Sequence, residues 1–250
     1  MSDERLEEAF ADAPTNWGKW GRNDELGAVN YLTEPQVLAG ARAIEHGKTF
    51  SLGVPIGRPE GDPKSPSRPE SQHYMVRDRG HYEAGKLPAD GRQGAEDVLT
   101  LALHGTTHVD ALGHSWYGDE MYNGFDPETS KGGLERCSVE PIAEHGVVGR
   151  GVLLDVARHR GVEHLAHDAT VSLSELKACA DEQGVELRER DVLVIRTGWL
   201  ERYYAGEHEP IEDFDEPGIT YSEELTAWFH DMEIPTFVTD TLANERTHPE

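Results

Sequence analysis

The chain is poor in several kinds of residue. It has only two cysteines, Cys137 and Cys179, in 250 residues. That is too few for a disulfide framework, and a reducing cytoplasm is the simplest expectation. No run approaches the roughly 18 consecutive apolar residues of a membrane span. The start, Met1 to Ala13, lacks the basic region and apolar core of a signal peptide. There is no glycine-rich phosphate loop, no Gly-x-Ser-x-Gly elbow, no cysteine in a motif and no internal repeat. Lysine is scarce as well: of 23 basic residues 6 are lysine and 17 arginine, set against 48 acidic residues, for a net charge of −25. A surface of that sign repels phosphate backbones and anionic lipid, so nucleic acid and membrane are discounted as partners. Acidity spread along the chain fits a protein of high-salt surroundings, where the Debye length falls to about 3 Å and self-repulsion is screened. An ordinary acidic cytosolic protein carries the same signature.

The length suits one large domain with a sizeable core. The expected organisation is an N-terminal extension and helix over 1–48, then a main domain over 49–250. Residues 1–15 are acidic and expected to fray. Asn16 to Arg22 is an aromatic and glycine cluster without periodicity. Thr33 and Pro35 open a helix whose apolar stripe is Val37, Leu38, Ala41 and Ile44, ending at Gly47. Thr49 to Val54 alternates like a strand. Residues 57–72, rich in proline and glycine, read as a long loop of the kind that forms lids. Asp97 to Leu103 reads as a buried strand, as do Gly151 to Val156 and Asp191 to Arg196, and Pro235 to Asp240 reads as a last strand. Ser172 caps a helix stopped by Gly184, and Ser222 starts another through Trp228 and Phe229. The stretch from Gly198 to Ile219 is a candidate rim loop. Strands and helices alternate in the second half, so the class is α/β, a single domain with a mixed sheet.

The most informative stretch is His104-Gly105-Thr106-Thr107-His108-Val109-Asp110-Ala111-Leu112-Gly113-His114. All four of its titratable side chains are of types that bind divalent metals or move protons near neutral pH. No helix places all four on one face. In a strand they share one side, but His104 and Asp110 would stand about 20 Å apart. The chain must curl for them to meet, and Gly105-Thr106-Thr107 is where it can. His104, His108 and Asp110 then make three ligands to one ion, with Zn²⁺, Mn²⁺ or Fe²⁺ suited to the set. The alternative is loop histidines that cap turns. A three-ligand site leaves a position for water, which becomes a nucleophile near neutral pH.

His114 is either a further ligand, a general acid and base, or a surface histidine. Thr107 either orients a ligand or is simply a β-branched strand residue. His73 and His81 read as loop residues, and His159, His164 and His167 as solvated ones. Trp20, Tyr117, Tyr122 and Phe125, with Trp116, are candidates to wall an aromatic substrate pocket; a core aromatic cluster is the equal alternative.

The motif resembles the His-x-Gly-Thr-His-x-Asp-x-Pro-x-His signature of the cyclase family, which includes bacterial kynurenine formamidases and isatin hydrolases. Thr106 stands for the family's glycine and Leu112 for its proline, so both departures concern backbone shape. Trp20 to Ala28, Phe50 to Gly53, Met121 to Gly124, Gly151 to Asp155 and Asp191 to Trp199 are also similar to family stretches. The resemblance implies a swivelling β/β/α fold, usually a homodimer or homotetramer. It implies metal ligation by His104, His108 and Asp110, with His114 as proton donor and acceptor. The implied chemistry is metal-assisted hydrolysis of an amide, lactam or formamide bond in a small, aromatic molecule, with Zn or Mn as the expected ion and metal-bound hydroxide as nucleophile. The rival readings are a metal-assisted cyclase or dehydratase and a metal-containing binding protein without turnover. Family members continue past a segment like Asn244 to Pro249 and there supply a further His and Glu. The resemblance therefore implies a C-terminally shortened chain, in which His248, Glu245 or Asp240 would have to substitute.

Overall fold

The computed structural model describes residues 13–58, 61–88, 91–206, 216–220 and 222–246. The expected fraying up to residue 12, part of the rim loop and His248 lie outside the described residues. The chain groups into two compact units, Ser51–His108 and Met1–Phe50 with Val109–Glu250.

In the first unit, β1 (Gln72–Arg77) and β2 (Glu96–Thr100) pair antiparallel, with Gln72 opposite Thr100 and an irregularity between Met75 and Arg77. A short helix, Arg79–Glu83, follows β1; the Asp78 carboxylate caps it by accepting from the His81 N–H at 3.1 Å. His73 and Asp97 pair across the hairpin at 2.7 Å. Three expectations are corrected here. β2 is not buried, since Val98 and Leu99 are 37% and 42% exposed. A two-stranded hairpin has two faces, and among the described residues no layer covers either face of β2. β2 also ends at Thr100, short of Leu103. Residues 49–54 form no strand, and Phe50 and Leu52 are exposed.

In the second unit, β3 (Gly151–Asp155), β5 (Val192–Arg196) and β7 (Phe237–Thr239) form a parallel sheet in the order β3-β5-β7. A smaller parallel pair joins β4 (Thr170–Val171) to β6 (Gly218–Ile219). Parallel strands require crossovers, and the sequence supplies them as helices. The helix Leu173–Gln183 begins where Ser172 Oγ accepts from the Glu175 N–H and ends at Gly184 in the left-handed conformation. Its Leu173, Leu176 and Ala180 recur at helical spacing and are buried against Val152, Leu154 and Ile195. The helix Glu223–Asp231, capped by Ser222, precedes β7. The expected rim loop after Gly198 instead opens with a helix, Trp199–Tyr204, anchored by buried Trp199 and Tyr203.

The helix Glu34–Arg42 starts as expected, with the Thr33 N–H and hydroxyl both donating to Gln36 Oε1. It stops at Arg42, and its apolar stripe is not its packing face: Val37, Leu38 and Ile44 are all exposed. Contact is made through Gly40, where a Cβ would stand 2.5 Å from the Gly149 carbonyl oxygen. Only a bare backbone allows that approach, so a glycine fixes the side on which this helix packs.

The alternation along β3 gives a direct test. Leu154 is fully buried and its neighbour Leu153 is 52% exposed. Leu154→Ala should cost about 2–5 kcal/mol in urea denaturation. Leu153→Ala should stay within about 0.5 kcal/mol. Equal losses would mean that the sheet's faces are wrongly assigned.

Candidate metal centre

The curl predicted from the motif is present. After β2 the chain turns through a single helical turn, Leu103–Gly105, and leaves it extended at Thr106. Three contacts within the same unit shape this turn. A Cβ on buried Gly105 would meet Lys64 Cβ at 3.1 Å, so the turn lies flat against the loop after residue 61. The Arg68 guanidinium donates to the His104 carbonyl. The Thr107 hydroxyl donates to the Leu52 carbonyl at 2.9 Å and accepts from the Val54 N–H at 3.0 Å. Thr107 is therefore not a strand residue; its hydroxyl is engaged by backbone. The same bonds tie Leu52 and Val54 to the motif without making residues 52–54 a strand. Sequence reasoning gave no role to Arg68, because a charged residue in a proline-rich loop carries no periodic signal.

The curl brings the ligand atoms of His104, His108 and Asp110 within 4.8 Å of one another, the grouping of this kind found among the described residues. The imidazoles stand perpendicular, with His104 Nδ1 and His108 Nε2 3.2 Å apart. Tetrahedral zinc with nitrogen ligands at about 2.05 Å sets neighbouring donors about 3.3 Å apart, so the spacing fits one ion. The tautomer fits too. His108 Nδ1 lies 2.5 Å from the Thr106 carbonyl oxygen, which only accepts; Nδ1 therefore carries the proton and Nε2 presents its lone pair. The donor set suits a divalent ion such as Zn or Mn.

His114 lies outside this group, on an exposed turn where its N–H donates to the Ala111 carbonyl at 2.9 Å. The preceding Gly113 donates to the Cys137 carbonyl at 2.9 Å, and a Cβ on it would meet Leu134 at 2.9 Å and Cys137 O at 3.1 Å. That close packing fixes the backbone from which His114 projects. Of the substitutes for further ligands, Asp240 is engaged elsewhere: it accepts from the Thr197 N–H and hydroxyl and from the Gly198 N–H at 2.7–2.8 Å. His248 lies outside the described residues. Burial pushes the Glu245 carboxyl above its ordinary range, and the negative charge of Asp110 adds to the effect.

The aromatic candidates separate. Tyr117 and Tyr122 line an open concavity of about 510 Å³, together with Trp17, Leu112, Ser115 and Trp116. Trp20 packs edge-on against Tyr31, with ring centroids 4.9 Å apart. Phe125 lies under the Arg136 guanidinium at 5.4 Å and is bridged to Met121. Trp17 was missed as a wall residue, since nothing local in the sequence ties it to residue 122.

The chain belongs to the cyclase family, whose model, described as "Putative cyclase", matches residues 32–246. A crystal structure described as that of a novel cyclase is 34% identical, with a TM-score of 0.82 over 93% of this chain and 79% of that one. Isatin hydrolase A from Labrenzia aggregata, bound to benzyl benzoate, is 18% identical, with a TM-score of 0.48 over 79% of this chain and 67% of that one. Among curated proteins none matches. The α/β class expected from the sequence is the one the structure has, and no helix among the described residues is long and apolar enough to cross a membrane.

The raised Glu245 carboxyl has a measurable consequence. A group whose folded-state pKa is raised favours folding while protonated, and that contribution fades as pH climbs from the ordinary 4.5 through the raised value. In metal-free protein, Glu245→Gln should therefore melt above the parent near neutral pH and lose that advantage below 4.5. A difference independent of pH, by thermal melts, would refute the assignment.

Proposed function

We propose that this chain is a metal-dependent, arylformamidase-like hydrolase that opens an amide, formamide or lactam C–N bond in a small aromatic molecule. The observation that carries this is the convergence of His104, His108 and Asp110 at ligand spacing, with the His108 tautomer set for coordination. A divalent ion there, Zn or Mn, supplies Lewis-acid polarisation of a carbonyl and acidifies a water. The chain's residues do the rest. His104, His108 and Asp110 hold the site, Thr106 orients His108, and His114 takes up a proton and delivers it to the leaving nitrogen. The net charge of −25 supports a small molecule over nucleic acid or membrane as partner. A homodimer or homotetramer in the cytoplasm completes the reading; the exposed Tyr74, Val76, Val98 and Leu99 of the hairpin support self-association.

The test is turnover of N-formylkynurenine or an aromatic lactam, before chelation, after it, and with metal restored. Activity should vanish and return, and mass spectrometry should find one added water in the product. Activity indifferent to chelation would refute the reading, and a product without added water would favour the cyclase or dehydratase alternative. His108→Ala should lose bound metal and reduce activity more than about 100-fold. His114→Ala should retain metal while turnover falls by about 10²–10⁴. Loss of metal in both would make His114 a ligand instead.

A further inference from the structure

We propose that the aromatic concavity beside His114 is a subsite for a positively charged arylalkylamine, and that it discriminates against arylalkyl carboxylates of the same shape. The word substrate attached to such a ligand rests on the hydrolase reading; the binding preference does not.

One wall is built before any ligand arrives. The Tyr122 hydroxyl donates to Asp24 Oδ2 at 2.8 Å, and Trp17 meets the Tyr122 ring edge-on at 6.4 Å and 79°. The segment carrying Trp17 is tied down by Asn123: the Gly18 N–H donates to Asn123 Oδ1 at 2.8 Å, and Asn123 Nδ2 donates to the Gly21 and Asp24 carbonyls. Burial and the Asp24 bond raise the Tyr122 hydroxyl above its ordinary range.

A second part of the lining is a tight turn. Tyr117 and Glu120 form an antiparallel bridge closed by Gly118, whose φ of +62° is the left-handed conformation that glycine takes without strain. Residues opposed in this way project to one side, so an aromatic face and a carboxylate lie together. Asp119 sits in the same turn and also lines the concavity, and none of the lining residues is basic. An ammonium group held here gains carboxylate attraction and ring attraction at once, whereas a carboxylate meets only like charge. Leu112 and Ser115, which lie on either side of His114 in the chain, line the same concavity. The subsite therefore begins on the piece of backbone that carries the proposed proton carrier.

Three probes with one ring test this: tryptamine, indole and indole-3-acetate, titrated into chelated full-length protein while NMR follows the indole N–H signals of Trp17 and Trp116. Tryptamine should bind at least about fivefold more tightly than indole-3-acetate, with indole between them. The double variant Asp119→Asn with Glu120→Gln should erase that ranking and leave indole binding intact, and Trp116→Ala should weaken all three. Equal binding of the anion, a ranking that survives the double variant, or unmoved signals would each overturn the proposal. The titration involves no turnover, so a failed hydrolase reading shows separately, as intact ranking with no hydrolysis after metal is restored.

Discussion

The site depends on one backbone constraint, the reversal of direction between Thr100 and His108. An extended chain holds residues six apart about 20 Å from each other, and two imidazoles and a carboxylate then serve no common ion. The turn at Leu103–Gly105 removes that distance. It is held by contacts away from the ligand atoms: Gly105 flat against Lys64, Arg68 on the His104 carbonyl, and Thr107 bridging Leu52 and Val54. The loop that looks irregular in sequence is thus the clamp that makes the motif usable. The carbonyl of Thr106 adds a chemical instruction to the geometric one by fixing which nitrogen of His108 is bare.

The electrostatics follow the same direction. A chain with 48 acidic residues against 23 basic ones places further negative charge close to Asp110 in the form of Glu245. Burial opposes ionisation of Glu245 and the charge of Asp110 adds to it, an effect that a cation held nearby would ease.

Local chemistry was legible in the sequence where it is decided locally. Ser172, Gly184, Thr33 and Ser222 mark helix ends because a hydroxyl, a left-handed glycine or a reciprocal glutamine bond is complete within four residues. The three parallel strands were visible as apolar runs, and the metal group as a spacing. What could not be read was what covers what. Val98 and Leu99 look like core residues and are exposed, while the helix at Glu34–Arg42 packs by Gly40 and not by its leucine and valine. A glycine contact and an uncovered hairpin leave no hydrophobic pattern, and the tie from Asp24 to Tyr122 spans 98 residues. The roles of Tyr117 and Tyr122 as neighbours were foreseeable from their proximity; that of Trp17 was not.

Asp24 joins two distant parts of the chain. Its carboxylate gathers the Leu26 and Gly27 N–H groups, the Asn30 amide and the Tyr122 hydroxyl, and so fastens the first described stretch of the chain onto the aromatic wall. That stretch precedes residue 32, where the family model begins, while the metal-binding motif lies well inside it. Trp17 thus reaches the concavity from outside the matched length, while its other lining residues lie within it. A change in this leading stretch would then reach the aromatic wall while leaving His104, His108 and Asp110 untouched.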